Sequence, residues 1–301
     1  MGDPETEGGR SRVITIEQLR GPQRVTWCRG CGNYGILAAL KKAIIRLDVP
    51  LHNLVISSGI GCSGKLPHYI GGLNSFHTLH GRPIPVATGI HMANRDLKLI
   101  VHTGDGDCLG EGLGHFIHAA RRNVDLAVFI HNNGVNGLTK GQFSPAAPRG
   151  YKSKTSPPPP GAPMDPVNPA AQAITAGASF VARGFSGDQK MLTDLMVRAI
   201  KHKGFAVVDI LQPCVTWNRQ LTWNFYNEHT YALEEHGHDT TDRLKALEKA
   251  LENGDRYPTG VFYDVQKPVL ADGLALPEDI PLKDHETDLD ALQEVIDGLS
   301  L

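Results

Sequence analysis

Two short stretches carry the residues best suited to chemistry, Gly104-Asp105-Gly106-Asp107 and Asn132-Asn133-Gly134. Each follows an apolar run, Leu97 to His102 in the first case and Leu126 to Ile130 in the second. Between them Glu111 to Arg122 has the pattern of a helix, so the three pieces read as one βαβ unit. The two strand ends of such a unit lie side by side at the carboxyl edge of a parallel sheet. Asp105 and Asn133 then supply two oxygen ligands from neighbouring strand ends, with glycines that let backbone approach closely. Mg²⁺ takes oxygen ligands in near-octahedral geometry and shares its shell with phosphate, so a hard cation holding a diphosphate suits this set. Gly, Asn and Asp also dominate ordinary turns. The presence of both stretches in one crossover favours a site over a pair of turns.

The pair resembles the thiamine-diphosphate signature, a Gly-Asp-Gly followed one crossover later by Asn-Asn. That resemblance implies that Asp105, Asn133 and the carbonyl of Val135 ligate Mg²⁺, with diphosphate oxygens completing the shell.

The remaining elements must bring other residues to the same edge. Trp27 to Asn33 is a glycine-rich turn opening a helix, with Ile36, Leu37, Leu40 and Ile44 on one face. Leu54 to Ser57 is a short strand that runs into Gly59-Ile60-Gly61-Cys62-Ser63-Gly64-Lys65, and Val86 to Asn94 is a buried helix. Ala170 to Ala176, Phe180 to Ala182, Lys190 to His202 and Phe205 to Leu211 alternate helix, strand, helix, strand. The alternation predicts one α/β domain, a doubly wound and mostly parallel sheet with helices on both faces. It runs over 27–218, after an N-terminal arm at 1–26. A C-terminal extension, 219–301, holds one amphipathic helix at Thr241 to Asn253 and an acidic terminal helix near Leu289 to Leu299, and packs on the domain or on a partner. The proline run Pro157 to Pro160 predicts a surface excursion.

At 301 residues and a formal charge of −2, the chain has enough length for a large core and no bulk basicity for nucleic acid or membrane surfaces. No apolar run is long enough to span a bilayer, and the polar first residues lack a signal-peptide core. A cytoplasmic protein is expected. Its five cysteines are then metal ligands or free thiols rather than disulfides.

The loop from Gly59 matches G-x-G-x-x-G and most of a P-loop, yet both matches fail in detail. Leu66 stands where a P-loop needs Ser or Thr, and no Asp or Glu between Asp48 and Asp96 could hold a ribose. That carboxylate-free stretch, with Lys65 and Arg82, suits an anionic substrate, although each cation alone could equally be an ordinary surface residue. Cys28-x-x-Cys31 is half of a sulfur site, with a redox dithiol or two buried cysteines as alternatives. A zinc ribbon would need a second such pair. Cys62 and Cys214 each follow a strand, so four thiolates could meet at the same edge as Asp105, which suits an iron–sulfur cluster. Cys108 reads as a packed thiol.

Taken together, Trp27-Cys28-x-Gly30-Cys31-Gly32-Asn33, Gly59 to Lys65, His77-Thr78-Leu79-His80-Gly81-Arg82, Gly104 to Asp107, His118 to Asn123, Gly137 to Gln142 and Pro213-Cys214 resemble the β subunits of 2-oxoacid:ferredoxin oxidoreductases. The resemblance covers Trp27 to Asn218 in order. It implies thiamine diphosphate with Mg²⁺ and one 4Fe–4S cluster on Cys28, Cys31, Cys62 and Cys214. The residues it implies around these cofactors are Gly30, Cys31, Gly32, Ile60, Gly61, Cys62, Ser63, His80, Gly104, Asp105, Gly106, Asp107, Asn133, Val135, Gly137, Leu138 and Thr139. It also implies an α subunit that supplies the pyrimidine side of the cofactor and the coenzyme A site, often in a dimer of αβ units. The activity implied is oxidative decarboxylation of a 2-oxoacid, with electrons passed through the cluster to ferredoxin and the acyl group to coenzyme A. Lys65, Arg82 and Lys140 are candidates for the substrate carboxylates and His80 for a proton shuttle. A second carboxylate could use Lys65 and Lys140, which favours 2-oxoglutarate over pyruvate or a branched-chain 2-oxoacid. The chain departs from the pattern at Asn136, where many relatives carry Tyr, at His91, where they carry Lys, and at Glu111. A thiamine-diphosphate decarboxylase without redox activity, or a zinc-bearing scaffold subunit, are the rival readings.

Overall fold

The computed structural model describes residues 14–153, 155, 161–253, 255–274 and 281–299. The proline run 157–160 therefore lies outside the described residues, as do the first thirteen residues of the N-terminal arm.

Eight strands form one sheet in the order β2-β1-β3-β4-β8-β7-β10-β9. In chain order they are β1 (Leu54–Ser58), β2 (Asn74–His77), β3 (Lys98–Gly104), β4 (Leu126–Asn132), β7 (Phe180–Phe185), β8 (Phe205–Leu211), β9 (Thr230–Ala232) and β10 (Tyr257–Asp264). A separate hairpin pairs β5 (Val135–Asn136) with β6 (Gln142–Phe143). All pairings in the large sheet are parallel except β10 against β7. β3, β4, β7 and β8 are buried along nearly their whole length because helices cover both faces, and this is why they read as continuous apolar runs.

On one face pack α1 (Asn33–Leu47) and α5 (Gln189–Lys201), which share a core with Ile56, Phe129 and Val208. On the other lie α2 (Pro83–Ala93), α3 (Leu113–Arg121), α4 (Pro169–Ala176) and α7 (Arg243–Leu251), around Phe116, Val128, Ile174 and Phe205. Several helices begin on side chains that satisfy orphan N–H groups. Asn168 caps α4, Asp188 caps α5, Asp242 caps α7 and Thr222 caps α6 (Trp223–His229). The fold class expected from the alternation is the one observed.

Several boundaries differ. The helix expected over Glu111 to Arg122 starts instead at Leu113 as α3, after a π-turn over Asp107–Glu111. Glycine at 110 and 112 weakens the helix there, and Gly81 packs against the turn where an added Cβ would lie 2.6 Å from the Glu111 carbonyl carbon. The stretch after Trp217 does more than pack on the domain, since β9 and β10 extend its sheet. Residues 14–26 also lie against the domain, with Leu19 buried and Arg20 bridged to Ile70. The terminal helix α8 (Leu289–Leu299) has every described side chain exposed. Among the described residues no helix is long and apolar enough to cross a membrane.

Candidate active site

Register places the two sequence motifs together. Gly104 at the end of β3 pairs with His131 near the end of β4, so Asp105 and the Asn132-Asn133 pair leave the sheet side by side. β1 ends at the same edge, because Ser58 pairs with His102. β8 ends there as well, Leu211 pairing with Asn132. The loops after four parallel strands thus share one rim.

That rim holds a cleft of ≈ 90 Å³. It brings together Ile60, Gly61, Cys62, Ser63, His80, Gly104 to Asp107, Asn133, Val135 and Gly137 to Thr139, with Asn136 beside them. Asp105 is almost wholly buried, and its Oδ2 accepts from Ser144 Oγ (2.6 Å) and the Gly134 N–H (2.8 Å). Burial raises its pKa to about 6 even though these donors pull it down. The main influences on it are burial and hydrogen bonds, with no cationic side chain among them. A buried carboxylate with hydrogen bonds and no cation is costly, and a bound Mg²⁺ is what would remove that cost. Asn133 Oδ1 accepts from the Val135 N–H (3.0 Å) and keeps a second lone pair.

Asp107 works as a clamp. Its Oδ1 accepts from the Gly81 N–H (2.8 Å) and the Ile60 N–H (3.3 Å), and its Oδ2 from Thr103 Oγ1 (2.6 Å). His80 Nδ1 lies 2.6 Å from the same Oδ1 and 3.3 Å from Glu111 Oε2. A carboxylate can only accept, so Nδ1 carries the proton and the ring is oriented at the cleft wall. Gly59 is required at this clamp, since a Cβ there would sit 1.6 Å from Asp107 Oδ2.

A second cavity of ≈ 170 Å³ adjoins the first and is lined by Cys28, Cys31, Cys62 and Cys214. Cys62, Asn133, Gly137 and Leu138 line both cavities and form their common wall. The thiols feel one another. Burial pushes Cys31 up to about 12, against a backbone N–H from Asn33, and the thiolates at 214, 62 and 28 add to the rise. Cys62 is raised by burial and by Cys214, and Lys65 pulls it back. Among the described residues no three His, Cys, Asp or Glu side chains close on a point as one metal ion requires. Four cysteines around one cavity are a donor set that suits an iron–sulfur cluster. Trp27 braces this wall by donating from Nε1 to the Cys62 carbonyl (2.7 Å). Gly30 and Gly32 shape the turn that carries Cys28 and Cys31, Gly30 with φ +78. Cys108 is buried in the apolar core below α3, away from this cavity, and its thiol is held well above the ordinary range by burial.

The three cations are not gathered. Lys65 lines the thiol cavity. Arg82 is exposed and lies against His115 at 2.5 Å. Lys140 is exposed on the turn after Leu138 with φ 75. None of them lines the cleft above Asp105. No motif singles out Ser144, Thr103 or Gln212, polar residues that hold Asp105, Asp107 and Asn133 in place. The signal for Gln212 was its position, one residue past the end of β8 on the rim.

Comparison with known proteins decides the family. Residues 59–210 match the thiamine pyrophosphate enzyme C-terminal TPP binding domain, and residues 214–277 match the C-terminal part of the pyruvate ferredoxin oxidoreductase beta subunit. The 2-oxoacid:ferredoxin oxidoreductase subunit beta of a Sulfolobus species is 50% identical over 253 residues, 80% of this chain and 82% of that one. The chain is a β subunit of the 2-oxoacid:ferredoxin oxidoreductases. The KorB subunit of a Mycobacterium tuberculosis 2-oxoglutarate oxidoreductase is 42% identical over 196 residues, 65% of this β subunit and 52% of that protein. A solved 2-oxoglutarate:ferredoxin oxidoreductase from Magnetococcus marinus, with 2-oxoglutarate, coenzyme A and succinyl-CoA bound, matches with a TM-score of 0.83. It is 38% identical, and the match covers 87% of this β subunit and 89% of that chain. As a β subunit it is one chain of a multi-subunit oxidoreductase with a thiamine-diphosphate-binding domain.

Proposed function

We propose that this β subunit takes part in the coenzyme A-dependent oxidative decarboxylation of 2-oxoglutarate, passing electrons through its own 4Fe–4S cluster to ferredoxin. The observation that carries the reading is the common wall between a cleft floored by a buried, cation-free carboxylate and a cavity ringed by four thiols. Asp105, Asn133 Oδ1 and the Val135 carbonyl would hold Mg²⁺ and, through it, the diphosphate. Cys28, Cys31, Cys62 and Cys214 would hold the cluster. When bound, thiamine diphosphate supplies the carbon nucleophile and the electron sink for loss of CO₂.

The chain's own residues supply position and field. Asp107 ties together the loops after β1, β2 and β3, so the cleft wall is fixed before substrate arrives. His80 presents an oriented imidazole that can hold or move a proton at Nε2. Lys65, Arg82 and Lys140 lie outside the cleft at separate places, so they would meet anionic groups only with the α subunit in place. A separate cleft of ≈ 350 Å³, with Phe143, Met164 and Ala147 on its walls, shares Gly106 and Asn136 with the cleft above Asp105. We further propose a dimer of αβ units in the cytoplasm, where thiols stay reduced, and a reaction that a low-potential donor can drive toward CO₂ fixation.

The names of the KorB relative and of the Magnetococcus enzyme support 2-oxoglutarate over pyruvate or a branched-chain acid. A non-redox decarboxylase would leave the four thiols without a shared task. The test is co-expression with the α subunit and an anaerobic assay of several 2-oxoacids with coenzyme A and a viologen acceptor. The proposal expects the highest kcat/KM with 2-oxoglutarate; a clear preference for pyruvate would overturn the substrate assignment.

A further inference from the structure

Gln212 sits between the two cavities and is nearly completely buried. Its Nε2 donates to the Pro213 carbonyl (2.9 Å) and to Cys31 Sγ (3.4 Å), and its Oε1 accepts from Asn133 Nδ2 (2.6 Å). These contacts fix more than one orientation. A carbonyl can only accept, so Pro213 determines which end of the Gln212 amide carries the N–H groups. Oε1 must then face Asn133, whose own amide is forced to turn Nδ2 inward and Oδ1 toward the Val135 N–H and the cleft. Gly32 makes room for the bridge, because a Cβ there would lie 2.8 Å from Gln212 Cγ.

Resting on the cofactor assignment above, we propose that Gln212 is a positioning residue that couples the metal–diphosphate site to the iron–sulfur cluster through a relay of two amides, Asn133 Nδ2–H to Gln212 Oε1 and Gln212 Nε2–H to Cys31 Sγ. The physical basis is polarisation along a hydrogen-bonded chain in a low-dielectric interior. A cation on Asn133 Oδ1 draws charge from that amide and makes its Nδ2–H a stronger donor. Gln212 passes the effect on, so the N–H···S bond to Cys31 strengthens when the cofactor is seated. Donors to cluster thiolates stabilise the reduced state and raise its potential. The cluster therefore becomes a better electron acceptor when the site beside it is loaded.

The test uses the αβ complex, purified anaerobically, with Gln212→Met as a near-isosteric variant that cannot donate or accept in this way. Reductive titration followed by EPR gives the cluster potential with and without Mg²⁺ and thiamine diphosphate, and equilibrium titration gives the cofactor affinity. In the parent the potential should rise on cofactor binding. In Gln212→Met the apo potential should be lower, the cofactor-induced rise smaller, and the cofactor affinity weaker by about 10–100-fold. The same cofactor-induced rise in parent and variant would overturn the relay. Should the variant fail to assemble a cluster, the parent decides: glutamine labelled with ¹⁵N at the side chain should show a nitrogen hyperfine coupling to the reduced cluster, and its absence would refute the bond. A parent without iron and sulfide would sink the functional reading and the relay together, whereas an unchanged rise with an intact cluster sinks the relay alone.

Discussion

Replacing Asp105 by Asn should make the cofactor-free protein more stable while removing its ability to hold Mg²⁺. In the folded chain burial raises the carboxyl pKa from an ordinary 3.8 to about 6. A folded pKa above the unfolded one means that the native state binds the proton more tightly, so ionisation penalises folding. The penalty is absent below the unfolded pKa, grows between about pH 4 and pH 6, and is complete above that window. At 1.36 kcal/mol per pK unit it amounts to about 3 kcal/mol at pH 8. Asparagine keeps an oxygen to accept from Ser144 Oγ and the Gly134 N–H and carries no charge to bury. Urea unfolding of the full chain in chelator, at several pH values from 4 to 8, measures the gap. Asp105→Asn should exceed the parent by up to about 3 kcal/mol at pH 8, with the difference closing toward pH 4. Adding Mg²⁺ and thiamine diphosphate should stabilise the parent only. A variant no more stable than the parent at pH 8, or a gap independent of pH, would refute the claim that this carboxylate is held in place for a cation.

Three further outcomes follow from the geometry. Asp209→Ala strands the buried Arg183, whose Nε lies 2.9 Å from the Asp209 carboxylate, and frees Asn132 Nδ2 from its partner; denaturation should show a loss of about 3–5 kcal/mol. Gly59→Ala drives a methyl into Asp107 and should weaken cofactor affinity by about 10–100-fold in an equilibrium titration, leaving helical content by circular dichroism unchanged. Cys214→Ser should retain thiamine diphosphate but lose iron and sulfide on anaerobic analysis, and a variant with full iron content would remove Cys214 from the ligand set.

The βαβ unit around Asp105 was legible because its strands are buried on both faces and its glycines fall where backbone must turn. The gathering of the four cysteines was legible as a possibility, since Cys62 and Cys214 follow strands whose ends lie on one rim. β2 was invisible for the opposite reason: all its side chains are exposed, so Asn-Ser-Phe-His shows no buried alternation. β10 was hidden by Pro258 and Gly260, which read as breakers. In the structure Pro258 pairs only on the β9 side, and Gly260, at φ +112, begins the antiparallel pairing with β7 next to a register shift. Ser144 and Gln212 belong to no sequence pattern; each acquires its task only when the rim is assembled.

The most direct measurement is EPR of the anaerobic αβ complex mixed with 2-oxoglutarate and coenzyme A, with no external acceptor present. Substrate should reduce the cluster held by residues 28, 31, 62 and 214, giving a signal that Cys214→Ser lacks. Release of CO₂ and acyl-CoA by a complex whose β subunit never shows a reduced cluster would contradict it.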